Sequence, residues 1–254
     1  MSKLIKSPQE ISKLKKSAKI LADVLYKVQK FAKPGMTLKE LDQFTEELIL
    51  SHNCKPAFKG HEGFPATICT AIDDEVVHGI PKNQKLEEGQ ILTVDCGVNY
   101  QGYLSDSAVT FGIGKISTEK KHFIDTVQQI LYKAIEFIKP GVKTGDLGHY
   151  IQSLVEKEGF HVFKELIGHG IGTSLWEPPH IPNFGRPNTG TMLKAGMVIC
   201  VEPIVGQHTD QFFTESDGWT IKSVDGSLGC QQEHMLLITD HGCEVLTQRS
   251  DEKI

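Results

Sequence analysis

The sequence predicts an α/β (α+β) fold built from two related halves, each with two helices followed by a largely antiparallel set of strands. Two observations predict it. The motifs FAKPG at 31–35 and FIKPG at 137–141 end helical patterns and are 106 residues apart. The strand segments LEEGQILTVD at 86–95 and LKAGMVICVE at 193–202 are 107 residues apart. We interpret these blocks as an internal repeat with a site at the junction, with chance similarity between helical segments as the alternative.

Capping signals indicate the first pair of helices. The segment SPQE at 7–10 is a capping box with proline at the first helical position, and it predicts a helix that ends at the Pro-Gly pair 34–35. A second capping box, TLKE at 37–40, predicts the start of the next helix. Apolar residues at helical spacing follow both boxes, which predicts that each helix buries one face.

The second pair of helices is indicated by apolar periodicity. Apolar residues at helical spacing predict one helix over 123–138, ending at the Pro-Gly pair 140–141, and another over 147–155, ending near Gly159. The segment 172–192 is rich in Gly, Pro, Asn and Thr and is predicted to be a long functional loop.

The chain is predicted to form one catalytic domain over 1–254, with the repeat at approximately 8–115 and 118–245. Its 254 residues provide no long linker, and 39% hydrophobic residues are typical of a globular protein. A net charge of −5 disfavours nucleic acid as a specific ligand. No run approaches the ~20 apolar residues of a membrane helix, and no secretory signal is apparent, so we expect a cytoplasmic monomer with no membrane partner.

The six cysteines are at least 13 residues apart and form no Cys-x-x-Cys pair. This spacing excludes a zinc ribbon, and a reducing cytosol would keep the thiols free.

Two aspartates stand out in the segment ILTVDCGVNYQGYLSDSAVTFGI, which predicts a β-hairpin. A turn centred on Tyr100 and Gln101 would place Asp95 directly opposite Asp106 on one face. Two buried carboxylates in that arrangement repel each other unless they share a proton or bind a cation. A register that differs by one or two residues, with both side chains in solvent, is the alternative.

Other segments supply further metal-ligating groups. Glu202 ends an apolar strand at the repeat position of Asp95, Glu233 precedes the apolar run 235–238, and His169 lies among glycines in GHGIG. Four carboxylates and one imidazole suit a pair of divalent ions such as Mn, Fe, Co or Zn. Paired metal ions of this kind occur in aminopeptidases, phosphatases and nucleases.

At these residues the chain resembles the type I methionine aminopeptidases, which belong to the pita-bread peptidases. The resemblance extends from the first helix to CEVLTQR at 243–249. Its motifs are VVHGIP at 76–81, VDCGV at 94–98, SDSA at 105–108, GHGIG at 168–172, VEPIV at 201–205, DGW at 217–219 and QQEH at 231–234.

The resemblance implies a pita-bread fold, with helices on the outer face of a curved sheet, and two divalent metal ions (Co, Mn, Fe or Zn). It implies that Asp106 and Glu233 bridge both ions, that Asp95 binds mainly one, and that His169 and Glu202 bind the other. Glu202 is also the candidate that moves a proton to the leaving nitrogen.

The resemblance also implies substrate-binding residues. His78 would contact the scissile amide. The methionine side chain would lie among Phe64, Cys69 and Trp219, which match the family's pattern of apolar and aromatic walls. Leu175 and Trp176 are further candidate substrate-binding residues. Phe58, His61 and Leu175 differ from the residues common in the family at these positions.

The largest departure is Trp176, because the family has a second histidine seven positions after the metal-binding one. An indole N–H donates a hydrogen bond but does not titrate. His180, in WEPPHIPN, is a candidate substitute, with a solvated loop residue as the alternative.

The resulting prediction is a metallo-aminopeptidase that removes the N-terminal methionine from nascent proteins and peptides when the second residue is small. One alternative is a relative with weak or lost turnover that only binds metal or peptide. Another is a proline-directed peptidase, although those relatives usually carry an extra domain. The substrate partner would be a peptide or nascent-chain N-terminus. The lysines at 13–33 permit a transient ribosome contact, although a solvated helix face is the ordinary explanation for them.

Overall fold

The computed structural model describes residues 4–254 and contains α-helices packed on antiparallel sheets. The helices are α1 (Pro8–Phe31), α2 (Leu38–Ser51), α3 (Thr118–Phe137) and α4 (Thr144–Lys157). The strands are β1 (Lys55–Pro56), β2 (Ile68–Ile72), β3 (Glu75–Val77), β4 (Ile91–Tyr100), β5 (Tyr103–Gly112), β6 (His161–Val162), β7 (Gly168–Gly170), β8 (Glu177–Ile181), β9 (Val198–Val201), β10 (Ile204–Gly206), β11 (Phe212–Thr214), β12 (Ile221–Ser223), β13 (Gly229–Gln231), β14 (His234–Ile238) and β15 (Cys243–Val245).

The two predicted capping boxes are present. The Ser7 backbone N–H donates to Glu10 Oε2 at 2.6 Å, and the Thr37 N–H donates to Glu40 Oε2 at 2.7 Å. Each pair satisfies a backbone donor that the first turn of a helix leaves without an intrahelical partner. Helix α1 ends at Phe31, three residues before Pro34, because the residue preceding a proline avoids helical backbone angles.

Two sheets form the framework of the two halves, and the strand pairs within residues 4–254 are antiparallel. In the first half, β4 lies between β1 and β2 and also pairs with β5. In the second half, the order is β15-β14-β9-β7-β8. Helix α1 packs on β4 and β5, where buried Ser17 donates a hydrogen bond to the Val98 carbonyl at 2.9 Å. The element order helix-helix-strands thus occurs twice along the chain.

Each half has its own apolar core, and a third cluster lies where the halves meet. The first core joins α1 and α2 to their sheet, and the second joins α3 and α4 to theirs. Leu14 from α1, Val198 from β9 and Met235 from β14 belong to the third cluster. Each is almost fully buried, which stabilises the folded state by about 1.5–3 kcal/mol per side chain.

The β4–β5 hairpin forms, but its predicted register is wrong by two residues. Tyr100 pairs with Tyr103, so the turn is Gln101–Gly102, and both turn residues have positive φ. Asp95 therefore lies opposite Ala108, and Asp106 lies opposite Gly97. Since a shift of two residues preserves the face, Asp95 and Asp106 are diagonal neighbours on one side of the sheet.

The predicted loop 172–192 contains a strand that the sequence analysis did not identify. Strand β8 pairs with β7 at the edge of the second-half sheet, and its burial alternates along the strand. Within residues 4–254, no helix is both long and apolar enough to cross a lipid bilayer.

Hydrogen bonds between β5 and the segment 231–233, which leads from β13 into β14, join the two halves. The Glu233 N–H donates to the Ala108 carbonyl at 3.0 Å, and Ser107 Oγ donates to the Glu233 carbonyl at 2.7 Å. Thr110 Oγ1 donates to the Gln231 carbonyl at 2.7 Å. These contacts bring a strand end of the second half beside the aspartates of the first.

Candidate metal centre

A cavity of about 440 Å³ opens where the two halves meet. Every site residue predicted from the sequence lines it. The predicted ligands are Asp95, Asp106, His169, Glu202 and Glu233, and the predicted substrate residues are Phe64, Cys69, His78, Leu175, Trp176 and Trp219. His180, Phe58 and His61 line it as well.

Three carboxylates form the floor of the cavity. Oxygens of Asp95, Asp106 and Glu233 all lie within 4.8 Å of one another, close enough to bind one cation. Asp95 Oδ1, Asp106 Oδ1 and Glu233 Oε1 are buried and have no hydrogen-bond partner among residues 4–254. Buried carboxylate oxygens without donors are costly, and a bound cation removes that cost.

His169 and Glu202 close the other side of the carboxylate cluster. His169 Nε2 lies 3.8 Å from Asp106 Oδ2 and 3.7 Å from Glu202 Oε1. His169 Nδ1 lies 2.9 Å from the Gly170 carbonyl oxygen, which can only accept a hydrogen bond. The proton is therefore on Nδ1, and the Nε2 lone pair faces the cluster as a metal ligand requires.

The cluster is electrostatically strained without a cation. Burial raises the pKa of Asp95 to about 7. Burial, together with the neighbouring carboxylates, raises the pKa values of Asp106, Glu202 and Glu233 well above their ordinary values. Burial lowers the pKa of His169 to about 4, which keeps the imidazole neutral. Four acidic groups and a neutral imidazole fit divalent cations that accept oxygen and nitrogen ligands.

Two residues near the cluster were not predicted as site residues. Gln231 Nε2 donates to Glu202 Oε2 at 3.1 Å and so orients that carboxylate. The Cys200 sulfur lies within 4.8 Å of ligand atoms of His169 and Glu233. Cys200 could have been predicted from its position two residues before Glu202, because alternate residues of a strand share a face.

The family-model comparison decides the class of protein. The sequence matches the model of metallopeptidase family M24 over residues 12–240. The chain belongs to metallopeptidase family M24. It is therefore a metal-dependent peptidase that uses divalent ions, which confirms the predicted enzyme class.

Relatives of this M24 peptidase match it over nearly its full length. The chain is 42% identical over 245 residues to the methionine aminopeptidase of Clostridium acetobutylicum, covering 96% of this chain and 98% of that protein. It is 36% identical over 252 residues to the methionine aminopeptidase of Escherichia coli K12, covering 98% and 96% respectively.

Solved structures confirm the predicted pita-bread fold. The M24 peptidase matches the methionine aminopeptidase of Thermotoga maritima with a TM-score of 0.95 at 41% identity, covering 98% of this chain and 100% of that one. It matches the prolidase of Pyrococcus horikoshii with a TM-score of 0.81 at 25% identity, covering 99% of this chain but 65% of that one.

One side of the M24 peptidase cavity, where the predicted substrate-binding residues lie, is apolar and aromatic. The Phe64 and Trp219 rings meet edge to face, with centroids 5.1 Å apart. Cys69 lies opposite Asp95 in the sheet, which places an apolar wall beside the carboxylates. His78 follows β3 with a φ of 60°, an uncommon angle for a residue other than glycine, and burial lowers its pKa.

Trp176 and His180 lie on the loop and strand that border the cavity opening. Trp176 is 51% exposed, and its ring meets the His61 ring edge to face with centroids 5.0 Å apart. His180 pairs directly with His169 between β8 and β7. Opposite residues of paired strands share a face, so the exposed imidazole of His180 lies beside the predicted metal ligand His169.

Proposed function

We propose that this chain hydrolytically removes the N-terminal methionine from nascent proteins and peptides when the second residue is small. The observation that carries the proposal is the convergence of five metal-ligating side chains beside an aromatic wall in one cavity. Its relatives named methionine aminopeptidase support it, because they match 36–42% of residues over nearly the whole chain. The activity rests on Asp95, Asp106, His169, Glu202 and Glu233 as metal ligands.

The metal complement is proposed as two divalent ions chosen among Co, Mn, Fe and Zn. Asp95, Asp106, His169, Glu202 and Glu233 would hold them. When bound, the ions supply Lewis acidity that activates water and polarises the scissile carbonyl. Their positive charge also offsets the four carboxylates, whose burial is otherwise unfavourable.

The chain's own residues then position the substrate and move the proton. Glu202, held by Gln231, accepts a proton as water attacks the peptide carbonyl and delivers it to the leaving nitrogen. His78 would contact the scissile amide. Phe64, Cys69 and Trp219 would supply apolar surface for the methionine side chain, and Leu175 and Trp176 would be further substrate-binding residues.

We propose that residues 1–254 act as one catalytic domain, with halves at approximately 8–115 and 118–245. The protein works as a cytoplasmic monomer on peptide or nascent-chain N-termini, with neither nucleic acid nor a membrane as partner. The lysine-rich face of α1 is the candidate for a transient ribosome contact.

A cleavage assay tests the proposal. Purified protein loaded with Mn²⁺ or Co²⁺ is expected to release methionine from Met-Ala-Ser and to be inactive after chelation by EDTA. Met-Lys-Ser should be cleaved at least ten times more slowly. Equal turnover of the two peptides would refute the proposed requirement for a small second residue.

Two further results would favour the other candidates. Preferential cleavage of Xaa-Pro dipeptides would identify a proline-directed peptidase, as the prolidase-like fold allows. Metal binding without turnover of any of these peptides would identify a relative that only binds, for which the substitution at Trp176 is the reason.

A further inference from the structure

A buried ion pair joins the segment before α1 to the rim of the cavity. The Lys6 ammonium contacts Glu177 Oε2, although the two residues are 171 positions apart. Their side chains are 7% and 2% exposed. A buried pair of this kind is retained only with good geometry, because taking two charges out of water costs several kcal/mol per ion.

The other oxygen of Glu177 closes the loop that carries the pocket residues. Glu177 Oε1 accepts hydrogen bonds from the backbone N–H groups of Thr173 at 2.9 Å and Ser174 at 3.1 Å. Leu175 and Trp176 lie between these donors and Glu177 itself, and both line the cavity. The carboxylate therefore fixes a four-residue loop by two charge-assisted hydrogen bonds.

Lys6 is fixed at its backbone as well as at its ammonium. Its N–H donates to the Gly196 carbonyl at 2.8 Å, immediately before the capping box of α1. Gly172 lies against the ion pair: a Cβ atom there would be 2.5 Å from Lys6 Nζ and 2.7 Å from Glu177 Oε1. The pair is thus tightly enclosed, and no larger residue fits beside it.

We infer that Lys6 is a positioning residue for the substrate pocket, acting through Glu177 on the loop that presents Leu175 and Trp176. Without the ammonium, the Glu177 carboxylate is a buried charge with no counterion, and the loop must open to hydrate it. The inference rests on the proposed function only for the identity of the substrate. The metal ligands are not part of this loop.

The first test compares steady-state kinetics of Lys6→Met with those of a matched lysine variant. We expect KM for Met-Ala-Ser to rise about tenfold, with kcat changed less than threefold, because the pocket and not the metal centre is affected. Mn²⁺ affinity by calorimetry should stay within twofold of the parent. Lys15→Met is the control, since its ion pair with Glu244 is exposed, and it should match the parent.

Fluorescence quenching of Trp176 measures how exposed the loop is, independently of enzyme activity. In a Trp219→Phe background, Trp176 is the one remaining tryptophan of the chain, which has two. Adding Lys6→Met should at least double acrylamide quenching of Trp176. Unchanged quenching together with an unchanged KM would overturn the inference. If the parent lacks aminopeptidase activity, the proposed function fails, while the quenching result still tests Lys6.

A double variant covers the case in which Lys6→Met does not fold. Lys6→Met with Glu177→Gln removes both charges and keeps a side-chain oxygen for the Thr173 and Ser174 donors. It should fold, because no buried charge is left unpaired. Its Trp176 quenching and KM should lie above those of the parent, but by less than the changes expected for Lys6→Met, because neutral hydrogen bonds hold the loop less tightly than charge-assisted ones. Parent-like values in the double variant would show that the ion pair serves stability alone and would overturn the positioning role.

Discussion

The backbone N–H of Glu233 donates a hydrogen bond to the carbonyl oxygen of Ala108 at 3.0 Å, across the junction of the two halves. Ala108 itself lies opposite Asp95 in the hairpin. This bond places a carboxylate of the second half beside the aspartates of the first. The candidate metal centre is therefore formed by both halves, and neither contains the full set of carboxylates.

The first prediction concerns Asp106, whose oxygens lie near those of Asp95, Glu233 and the His169 ring. Asp106→Asn keeps the shape of the side chain but removes an anionic oxygen. Loss of a hydrogen bond that orients a metal ligand typically lowers metal affinity or activity ~10–100-fold. Loss of the ligand itself should therefore lower kcat/KM by more than ~100-fold. Calorimetry should show fewer bound Mn²⁺ ions than in the parent.

A matched aspartate provides the control for Asp106. Asp125 is exposed on α3, forms an ion pair with Lys121 and is not one of the predicted metal ligands. Asp125→Asn should keep full activity and metal content. Full activity in Asp106→Asn, with the metal content of the parent, would contradict the bridging role.

The second prediction concerns Gln231, which orients Glu202. Gln231→Leu leaves the carboxylate without this donor, and we expect a ~10–100-fold loss in metal affinity or activity. Gln232→Leu is the control, because Gln232 is equally buried but donates to the Thr110 carbonyl at 3.0 Å. That variant should lose only about 1 kcal/mol of unfolding free energy. Equal metal affinities in the two variants would show that Gln231 does not support metal binding by Glu202.

The third prediction concerns pH. The pKa of Asp95 is raised to about 7, so the folded metal-free protein holds a proton that the unfolded chain releases near pH 4. The stability contributed by this group is complete below about pH 4 and is lost as pH rises through about 7. The increase in Tm caused by Mn²⁺ should therefore be larger at pH 8 than at pH 5.5.

Differential scanning fluorimetry with EDTA or Mn²⁺ at each pH measures this effect. The difference between the two conditions cancels groups remote from the site. His169 does not contribute above pH 5, since its pKa is lowered to about 4. Asp95→Asn should weaken the pH dependence without abolishing it, because the pKa values of Asp106, Glu202 and Glu233 are also raised. A Mn²⁺ effect that grows toward acid pH would contradict the prediction.

The hairpin shows how far local sequence determines the site. The β-prone runs and the facing aspartates were sufficient to predict one shared face. The register was not, because it depends on the turn, where Gln101 and Gly102 have φ values of 54° and 85°. A two-residue hairpin turn of this type needs positive φ at both positions, and Gly102 was the available signal.

Strand β8 and the contacts around Glu177 show what local sequence could not predict. Pro178 and Pro179 break the usual strand pattern, and they are tolerated because β8 is an edge strand. The Lys6–Glu177 and Gln231–Glu202 contacts join residues far apart in the chain. Their partners depend on tertiary packing, which no spacing rule encodes.

The fourth prediction concerns His180, which lies directly opposite His169 but has an exposed side chain. Hydrogen bonds from exposed groups contribute little compared with those in a water-excluded site. We therefore expect His180→Ala to change kcat less than threefold with Met-Ala-Ser. A loss of ~10²–10³ would instead assign His180 the role of an oxyanion donor.

The last prediction concerns Trp176, which stands where the methionine aminopeptidases that this chain resembles have a histidine. If that histidine donates to the forming oxyanion, its absence costs ~10²–10³ in rate, or ~2.7–4 kcal/mol. The proposed metal ions remain the main electrostatic contribution, so the enzyme should be slow but active. Trp176→His should raise kcat more than it lowers KM, because the contact strengthens in the transition state. A folded, metal-loaded Trp176→His variant with unchanged or lower kcat would show that tryptophan here is no handicap.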